Sequence, residues 1–325
     1  MKAILCKDFT GPGALEIGEA EPPRPAADEV SIAVHAASVT WMDTLIVSGQ
    51  YQMKPPLPFV CGTDAAGEVI ETGKDVKRLK PGDRVATFHW TGAFAEEMVA
   101  KEGRSIRLPD AVGYEAGSAI LHNYMTGWYS LKTRAGLARG ETLVVHGAAG
   151  GVGLATVDLG RHLGARVIGT VGSDVKAALV REYGAEHVIN YNTESIRDRV
   201  RELTGGNGAD VIFDTVGGDA FDQSIRCIAW DGRILVVGFT SGRIPELPLN
   251  LPLLKNCSVV GVFTGAWGDR FPEEYLGAAD SVMDLVAQGQ LKPRVHEVMP
   301  LERAAEAMAM VRNRQVTGRI VLKVR

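Results

Sequence analysis

From about residue 123 the chain alternates between short apolar runs and stretches with helical spacing. The runs are ETLVVHG, RVIGTV, HVIN, ADVIFDTV, RILVVGF and SVVGVF. Apolar runs without polar alternation suit strands buried on both faces, so six of them separated by helices predict an α/β fold, a doubly wound parallel sheet with helices on each side. Val152, Ala155, Leu159 and Leu163 share one helical face. Val175, Leu179 and Tyr183 mark a second helix, closed by Gly184. Ile196, Val200 and Leu203 mark a third. Phe221, Ile225 and Ile228 mark a fourth that stops near Gly232. A further helix is predicted over about 272–289, ahead of a terminal run GRIVLKV.

The first third reads differently. KAILC, EVSIAVHAAS, GEVIET, DRVAT and FAEEMVA are short strand-like runs, punctuated by GPG, PPRP, KPPLP and KPGD. That rhythm predicts a β-rich barrel or sandwich. At 325 residues the chain exceeds what one hydrophobic core usually serves, so two domains are expected.

The loop after the first parallel strand is VVHGAAGGVG, residues 144–153. Read against G-x-G-x-x-G, its first position is Ala148, followed by Gly150 and Gly153. The strand-loop-helix setting is what gives the glycines meaning. Gly150 lets the backbone approach a pyrophosphate, and Gly153 lets the helix pack on the strand. The helix N-terminus offers unpaired N–H groups to the anion. Contacts to a dinucleotide are therefore expected from Ala149, Gly150, Gly151 and Val152.

The second strand should end beside the adenosine ribose. A site for NAD places Asp or Glu there to accept from the 2′-hydroxyl. This chain has Val171, Gly172 and Ser173 instead. Ser173 can donate to a 2′-phosphate and Lys176 can add a positive charge, so NADPH is the expected cofactor. Asp174 opposes that reading if its carboxylate turns inward.

Other classes are disfavoured. Thirty-five Lys and Arg against 39 Asp and Glu leave a net charge of −4, with no basic stretch for nucleic acid. No run approaches the roughly 20 apolar residues of a membrane span. The N-terminus lacks the apolar core of a secretory signal, so a cytoplasmic protein is expected. Cys6, Cys61, Cys227 and Cys257 form no C-x-x-C pair and read as four buried thiols.

Nine segments, in order, carry a resemblance. They are DTLIVSGQY (43–51), GTDAAGEV (62–69), KPGDRV (80–85), GAAGGVG (147–153), GTVGS…K (169–176), VINY (188–191), DTVGG (214–218), DGRILVVGF (231–239) and GRIVLKV (318–324). Together they resemble the zinc-independent quinone oxidoreductase, or zeta-crystallin-like, branch of the medium-chain dehydrogenase/reductase superfamily. The resemblance implies a GroES-like catalytic domain from residues 1–122 and 266–325. A Rossmann domain is inserted at 123–265, and the cofactor lies in the cleft between them. It also implies that Ser173, Lys176 and Tyr191 surround the 2′-phosphate. Thr126 and the segment Val237, Gly238 and Phe239 should lie near the nicotinamide. Further cofactor contacts are expected from Asp43, Gly172, Val216 and Phe263. Zinc-dependent relatives carry a Cys near Thr40 and Trp41 and a His-Glu pair at Thr63–Asp64, with a four-cysteine lobe where this chain has ATFHWTGAF. Those ligands are missing, and His89, His122 and His146 stand isolated, so no metal is expected. Asn where Thr40 stands and Gly where Tyr124 stands are common in the family, and Trp41 and Trp90 add bulk.

Without a Lewis acid, hydride delivery suits a strong electrophile. A quinone fits first, and an α,β-unsaturated carbonyl (enal, enone or enoyl thioester) second. A cofactor-binding protein with little turnover and a structural or nucleic-acid-binding role is the reading from another class. Tyr51 is the candidate proton donor, with Asp43 orienting its loop. The apolar edge strand 258–263 should be covered, so a homodimer pairing this strand with its mate is expected.

Overall fold

A computed structural model describes residues 1–325. The chain forms two compact units. One comprises Met1–His122 and Gly268–Arg325, the other Asn123–Trp267.

In the second unit the strands Thr142–Val145, Arg166–Val171, His187–Asn190, Ala209–Asp214, Ile228–Val236 and Ser258–Gly261 form one sheet, all parallel. Across the sheet they lie third, second, first, fourth, fifth, sixth. The direction of winding therefore reverses between the first and fourth strands, the place where open α/β sheets leave a crevice at their carboxyl ends. Helix Gly151–His162 follows the first strand and is buried continuously from Gly153 to Gly160. Arg161 and His162 in its last turn complement the helix dipole. Gly164, at φ 84°, ends it, with its N–H on the carbonyl of Arg161 at 2.9 Å.

Four local expectations need correcting. Val175 is 84% exposed, and helix Asp174–Glu182 instead buries Ala177, Leu179 and Val180. Ile228 is not helical: helix Gly218–Cys227 ends before it, and Ile228 opens the fifth strand opposite Ala209. The register shifts before Val211, with Asp231 in the left-handed region at φ 61°, so Trp230 and Asp231 turn outward and Gly232 is passed within the strand. The sixth strand stops at Gly261, because helix Thr264–Arg270 begins three residues later. Cys257 is only half-buried, at the turn between helix Asn250–Lys255 and that strand.

The first unit is β-rich. A sheet runs through Val295–Pro300, Arg319–Lys323, Glu29–Val39, Asp64–Thr72, Arg84–Phe88 and Ser105–Arg107, and Glu97–Lys101 also pairs with Glu29–Val39. Leu15–Glu19, Lys2–Cys6 and Phe59–Val60 form a smaller sheet. The chain's last strand closes this unit. It pairs antiparallel with Glu29–Val39, Ile320 opposite Val39 and Leu322 opposite Ala37. Val30, Ile32, Val34, Phe94, Met308 and Leu322 lie in the shared core.

Helix Pro272–Ala287 packs on this unit through Tyr275, Ala278, Ala279, Val282 and Met283. Gly277 sits on its exposed face, and a methyl group there would meet nothing within 4 Å. Gly277→Ala should therefore stabilise the protein by about 0.5–1 kcal/mol, through the lower helix propensity of glycine. Urea denaturation checks this, and a destabilised variant would contradict the stated position of that face.

Candidate functional site

In the second unit the strands end nearly in register. Gly169 and Phe213 both lie opposite Val145, and Val236 lies opposite Asp214 and Gly261. The segments that follow therefore emerge along one edge. The turn after the first strand depends on two glycines. Gly147 has φ 62°, and a methyl group on Gly153 would lie 2.2 Å from the Gly147 carbonyl oxygen. Gly150 is the N-cap of helix Gly151–His162, so the first N–H groups of that helix face outward from the turn. On the other side of the switch, buried Asp214 accepts from Val216 N at 2.7 Å and Gly217 N at 2.9 Å. The Thr215 hydroxyl reaches the His146 carbonyl at 3.2 Å, which ties the two loops together.

His146 itself is a buried structural residue. Its Nε2 lies 2.7 Å from the Ser224 hydroxyl and its Nδ1 3.0 Å from that of Thr170. Ser224 donates to the Ala220 carbonyl, so Nε2 carries the proton and Nδ1 accepts. Burial lowers its pKa and keeps it neutral.

At the tip of the second strand, Gly172, Ser173 and Tyr191 converge. A methyl group on Gly172 would lie 2.6 Å from the Tyr191 hydroxyl. Ser173 caps helix Asp174–Glu182 by accepting from Lys176 N at 3.4 Å, which leaves its own O–H free in direction. The Asp174 carboxylate is engaged, accepting from Asn190 Nδ2 at 2.9 Å. Asn192 Nδ2 donates to the Gly172 carbonyl at 2.8 Å and fixes the tip.

In the first unit, Thr40 and Asp43 form a reciprocal cap on helix Trp41–Ile46. Asp43 Oδ2 accepts from both Thr40 N and Thr40 Oγ1 at 2.7 Å. Asp64 accepts from Thr63 Oγ1 at 3.0 Å and His122 N at 3.2 Å. Asp43, Asp64 and Arg319 are each at most 5% exposed. Burial raises the Asp43 pKa to about 6 and that of Asp64 to about 7, with the Arg319 guanidinium opposing both shifts. Beside this cluster stands an aromatic wall. Phe88 meets Trp90 edge-on at 5.3 Å, Tyr51 lies 6.1 Å from Trp90, and Met42, Ile46 and Met53 pack around them. Burial raises the Tyr51 pKa, so the phenol keeps its proton.

Residues 26–127 match the Alcohol dehydrogenase GroES-like domain family, and residues 151–282 match the Zinc-binding dehydrogenase family. The chain is 38% identical to quinone oxidoreductase-like protein 2 homolog of Nematostella vectensis, over 100% of this chain and 89% of that one. It is 35% identical to a quinone oxidoreductase of Pseudomonas aeruginosa, over 99% of both chains. The chain belongs to the quinone oxidoreductase family of medium-chain dehydrogenases/reductases. Among solved structures it is similar to Escherichia coli quinone oxidoreductase complexed with NADPH, at a TM-score of 0.93 and 32% identity. That match covers 99% of this chain and 100% of the other.

Within this quinone oxidoreductase fold, Ala149, Gly150, Gly151, Val152, Gly172, Ser173, Lys176, Tyr191, Val216, Val237, Gly238, Phe239 and Phe263 all lie at or just past strand ends of the second unit. Thr126 is buried on helix Leu121–Trp128. Asp43 and Tyr51 belong to the first unit. Asp43 is 2% exposed, and its carboxylate is turned onto Thr40, where it shapes the loop. Three features escaped the sequence reading. The tight-turn glycine is Gly147, one position before the Ala148 that was aligned to that role. Asn192 and Asp214 brace the loops through backbone groups, a job that leaves no spacing signal. His122 is not isolated, since its Nδ1 lies 3.8 Å from Asp64 Oδ2.

The two loop glycines should separate on mutation. Gly153→Ala places a carbon against backbone and should cost about 1–3 kcal/mol in urea denaturation. Gly150→Ala, whose methyl group would meet only the Gly147 oxygen at 3.4 Å, should stay within about 0.5 kcal/mol. Equal costs would contradict the described close approach.

Proposed function

We propose that this chain is an NADPH-dependent reductase that transfers hydride to a quinone without zinc. The observation that carries the reading is the tip of the second strand. Ser173 and Tyr191 converge at Gly172, Lys176 follows in the first turn of the helix that Ser173 caps, and the nearby carboxylates of Asp174 and Glu194 are each held by Asn190. A 2′-phosphate suits such a set, whereas a bare ribose 2′-hydroxyl has no carboxylate to bind. The names of the relatives above, and the NADPH bound in the Escherichia coli structure, agree with it.

The glycine turn fits a pyrophosphate. Gly153 lets the helix close on the strand, and the N–H groups at Gly151 and Val152 face an anion there. NADPH, when bound, supplies the hydride. The chain's own residues bind, orient and shield. Ser173, Lys176 and Tyr191 hold the 2′-phosphate, while Thr126, Val216, Val237, Gly238, Phe239 and Phe263 serve the remainder of the cofactor. The aromatic wall of Tyr51, Phe88 and Trp90 suits a flat conjugated ring, and the Tyr51 hydroxyl can donate to its oxygen. Thr40, Trp41 and Thr63 offer no thiolate or imidazole, and no group of three His, Cys, Asp or Glu side chains is placed to hold a metal.

The sixth strand is an apolar edge. Val259 and Phe263 are 38% and 49% exposed, and Leu249, Leu253 and Leu254 stand exposed just before it. A second copy pairing through this edge would cover them and extend the sheet across a two-fold axis.

NADPH should bind at least about tenfold more tightly than NADH, and Lys176→Ala should remove most of that difference with little change for NADH. Raising salt should narrow the gap. Fluorescence titration measures all three, and equal wild-type affinities would contradict the phosphate site. Quinone reduction should survive chelation, and a rate restored only by added zinc would oppose the metal-free reading. Sedimentation at micromolar concentration should give a dimer that Val259→Lys shifts toward monomer, whereas a wild-type monomer would rule out this pairing.

A further inference from the structure

We propose that His122 and Asp64 form a proton-donating dyad. Imidazole Nε2–H protonates the oxygen of the reduced substrate, and the Asp64 carboxyl replaces that proton at Nδ1. This rests on the reductase reading above, because a quinone that accepts a hydride still needs one proton to become a hydroquinone.

Charge counting inside the first unit comes first. Asp43 on helix Trp41–Ile46, Asp64 on strand Asp64–Thr72 and Arg319 on the last strand are all buried. Two carboxylates against one guanidinium would leave an uncompensated buried negative charge, so one carboxyl keeps its proton. Asp43 receives two 2.7 Å hydrogen bonds from Thr40, whereas those to Asp64 are longer, at 3.0 and 3.2 Å. Asp43 Oδ1 has no hydrogen-bond partner, but burial raises Asp64 further, to about 7 against about 6, so the proton rests on Asp64.

Geometry supplies the outlet. Asp64 is 1% exposed and the His122 side chain 21%, so the ring stands between the carboxyl and the outside. Nδ1 lies 3.8 Å from Asp64 Oδ2. That is too long for a hydrogen bond in the resting protein, so the transfer requires the ring to approach the carboxyl. The ring centroid lies 6.2 Å from that of Phe88, which joins Trp90 and Tyr51 in the aromatic wall. The other charged or titratable groups of this region are Tyr275, with its pKa pushed up to about 12, Arg104, which lies over the Tyr275 and Phe88 rings, Asp269, which accepts from Arg104 Nη2 at 2.7 Å, and the buried thiol of Cys61 near Asp43. Burial and then the Arg319 charge lower the His122 pKa to about 3, so the imidazole rests neutral.

The proton balance is closed. The substrate takes a hydride at the expense of NADPH, and its anionic oxygen takes the Nε2 proton. The Asp64 O–H bond breaks as the Nδ1–H bond forms. Water then returns a proton to Nε2, and Nδ1 gives its own back to Asp64. Donation needs Asp64 protonated. Its raised pKa keeps it so at mildly acid pH, and activity should fall as pH rises through about 7.

The test uses the full chain, NADPH and 1,4-naphthoquinone, with Asp64→Asn and His122→Gln. Both variants should lose about 10²-fold in kcat, keep KM for the quinone within about twofold, and lack the alkaline limb. A His122→Gln variant with wild-type kcat, or a limb that survives in Asp64→Asn, would overturn the dyad. Nitrogen NMR of the resting protein reads it without turnover. The His122 ring should stay neutral and shift only as Asp64 ionises near 7, a step missing in Asp64→Asn. A ring that gains its own proton near the ordinary histidine value would overturn the dyad. A wild-type chain that binds NADPH but reduces no quinone would overturn the reductase reading, with the NMR result still deciding the dyad.

Discussion

Gly153 lies so close to the Gly147 carbonyl that a single added carbon would sit 2.2 Å from its oxygen. Much of the second unit follows from that approach. It sets helix Gly151–His162 down on the first strand and aims its leading N–H groups out of the turn. It also places that turn next to the loop braced by Asp214, at the point where the winding of the sheet reverses. An anion site made this way needs no charged side chain, because backbone donors and the helix dipole supply the field. Side-chain charge is needed only farther out, where Lys176 stands near the tip of the neighbouring strand.

The first unit meets a different constraint, the cost of burying charge. Its two ends of chain join when Arg319–Lys323 pairs with Glu29–Val39, and this brings Arg319 to Asp43 and Asp64. The guanidinium partly offsets two carboxyls that burial would otherwise neutralise. The same arrangement caps helix Trp41–Ile46 through Thr40 and seats the His122 N–H of helix Leu121–Trp128 on Asp64. Structure and proton chemistry thus share one set of residues beside an aromatic wall.

The second unit was largely legible in the sequence, and the reason is local. Strands buried on both faces show as unbroken apolar runs, and a phosphate turn is written in ten consecutive residues. Errors arose where a short-range pattern met a tertiary effect. Val175 fits a helical face by spacing yet is solvent-facing, because its helix packs through Ala177 and Val180. Ile228 fits the same spacing but opens a strand, since the outward turn at Trp230 and Asp231 absorbs the extra residues. The dyad was invisible for another reason. Asp43, Asp64, His122 and Arg319 come from four distant segments, and no periodicity links them. In the sequence Thr63–Asp64 shows only as the loss of a zinc-ligand pair, whereas in the structure both residues are buried and bonded to each other.

On the proposed reading the 2′-phosphate selects the cofactor, and phosphorus NMR of bound NADP⁺ observes that group directly. A phosphate monoester loses its second proton near pH ~6 in water. Bound beside Lys176 with donors from Ser173 and Tyr191, the dianion is favoured, so the 2′-phosphate midpoint should move clearly below its free value. A midpoint unchanged from free NADP⁺, at saturating protein, would show that this phosphate stays in solvent and would contradict the account.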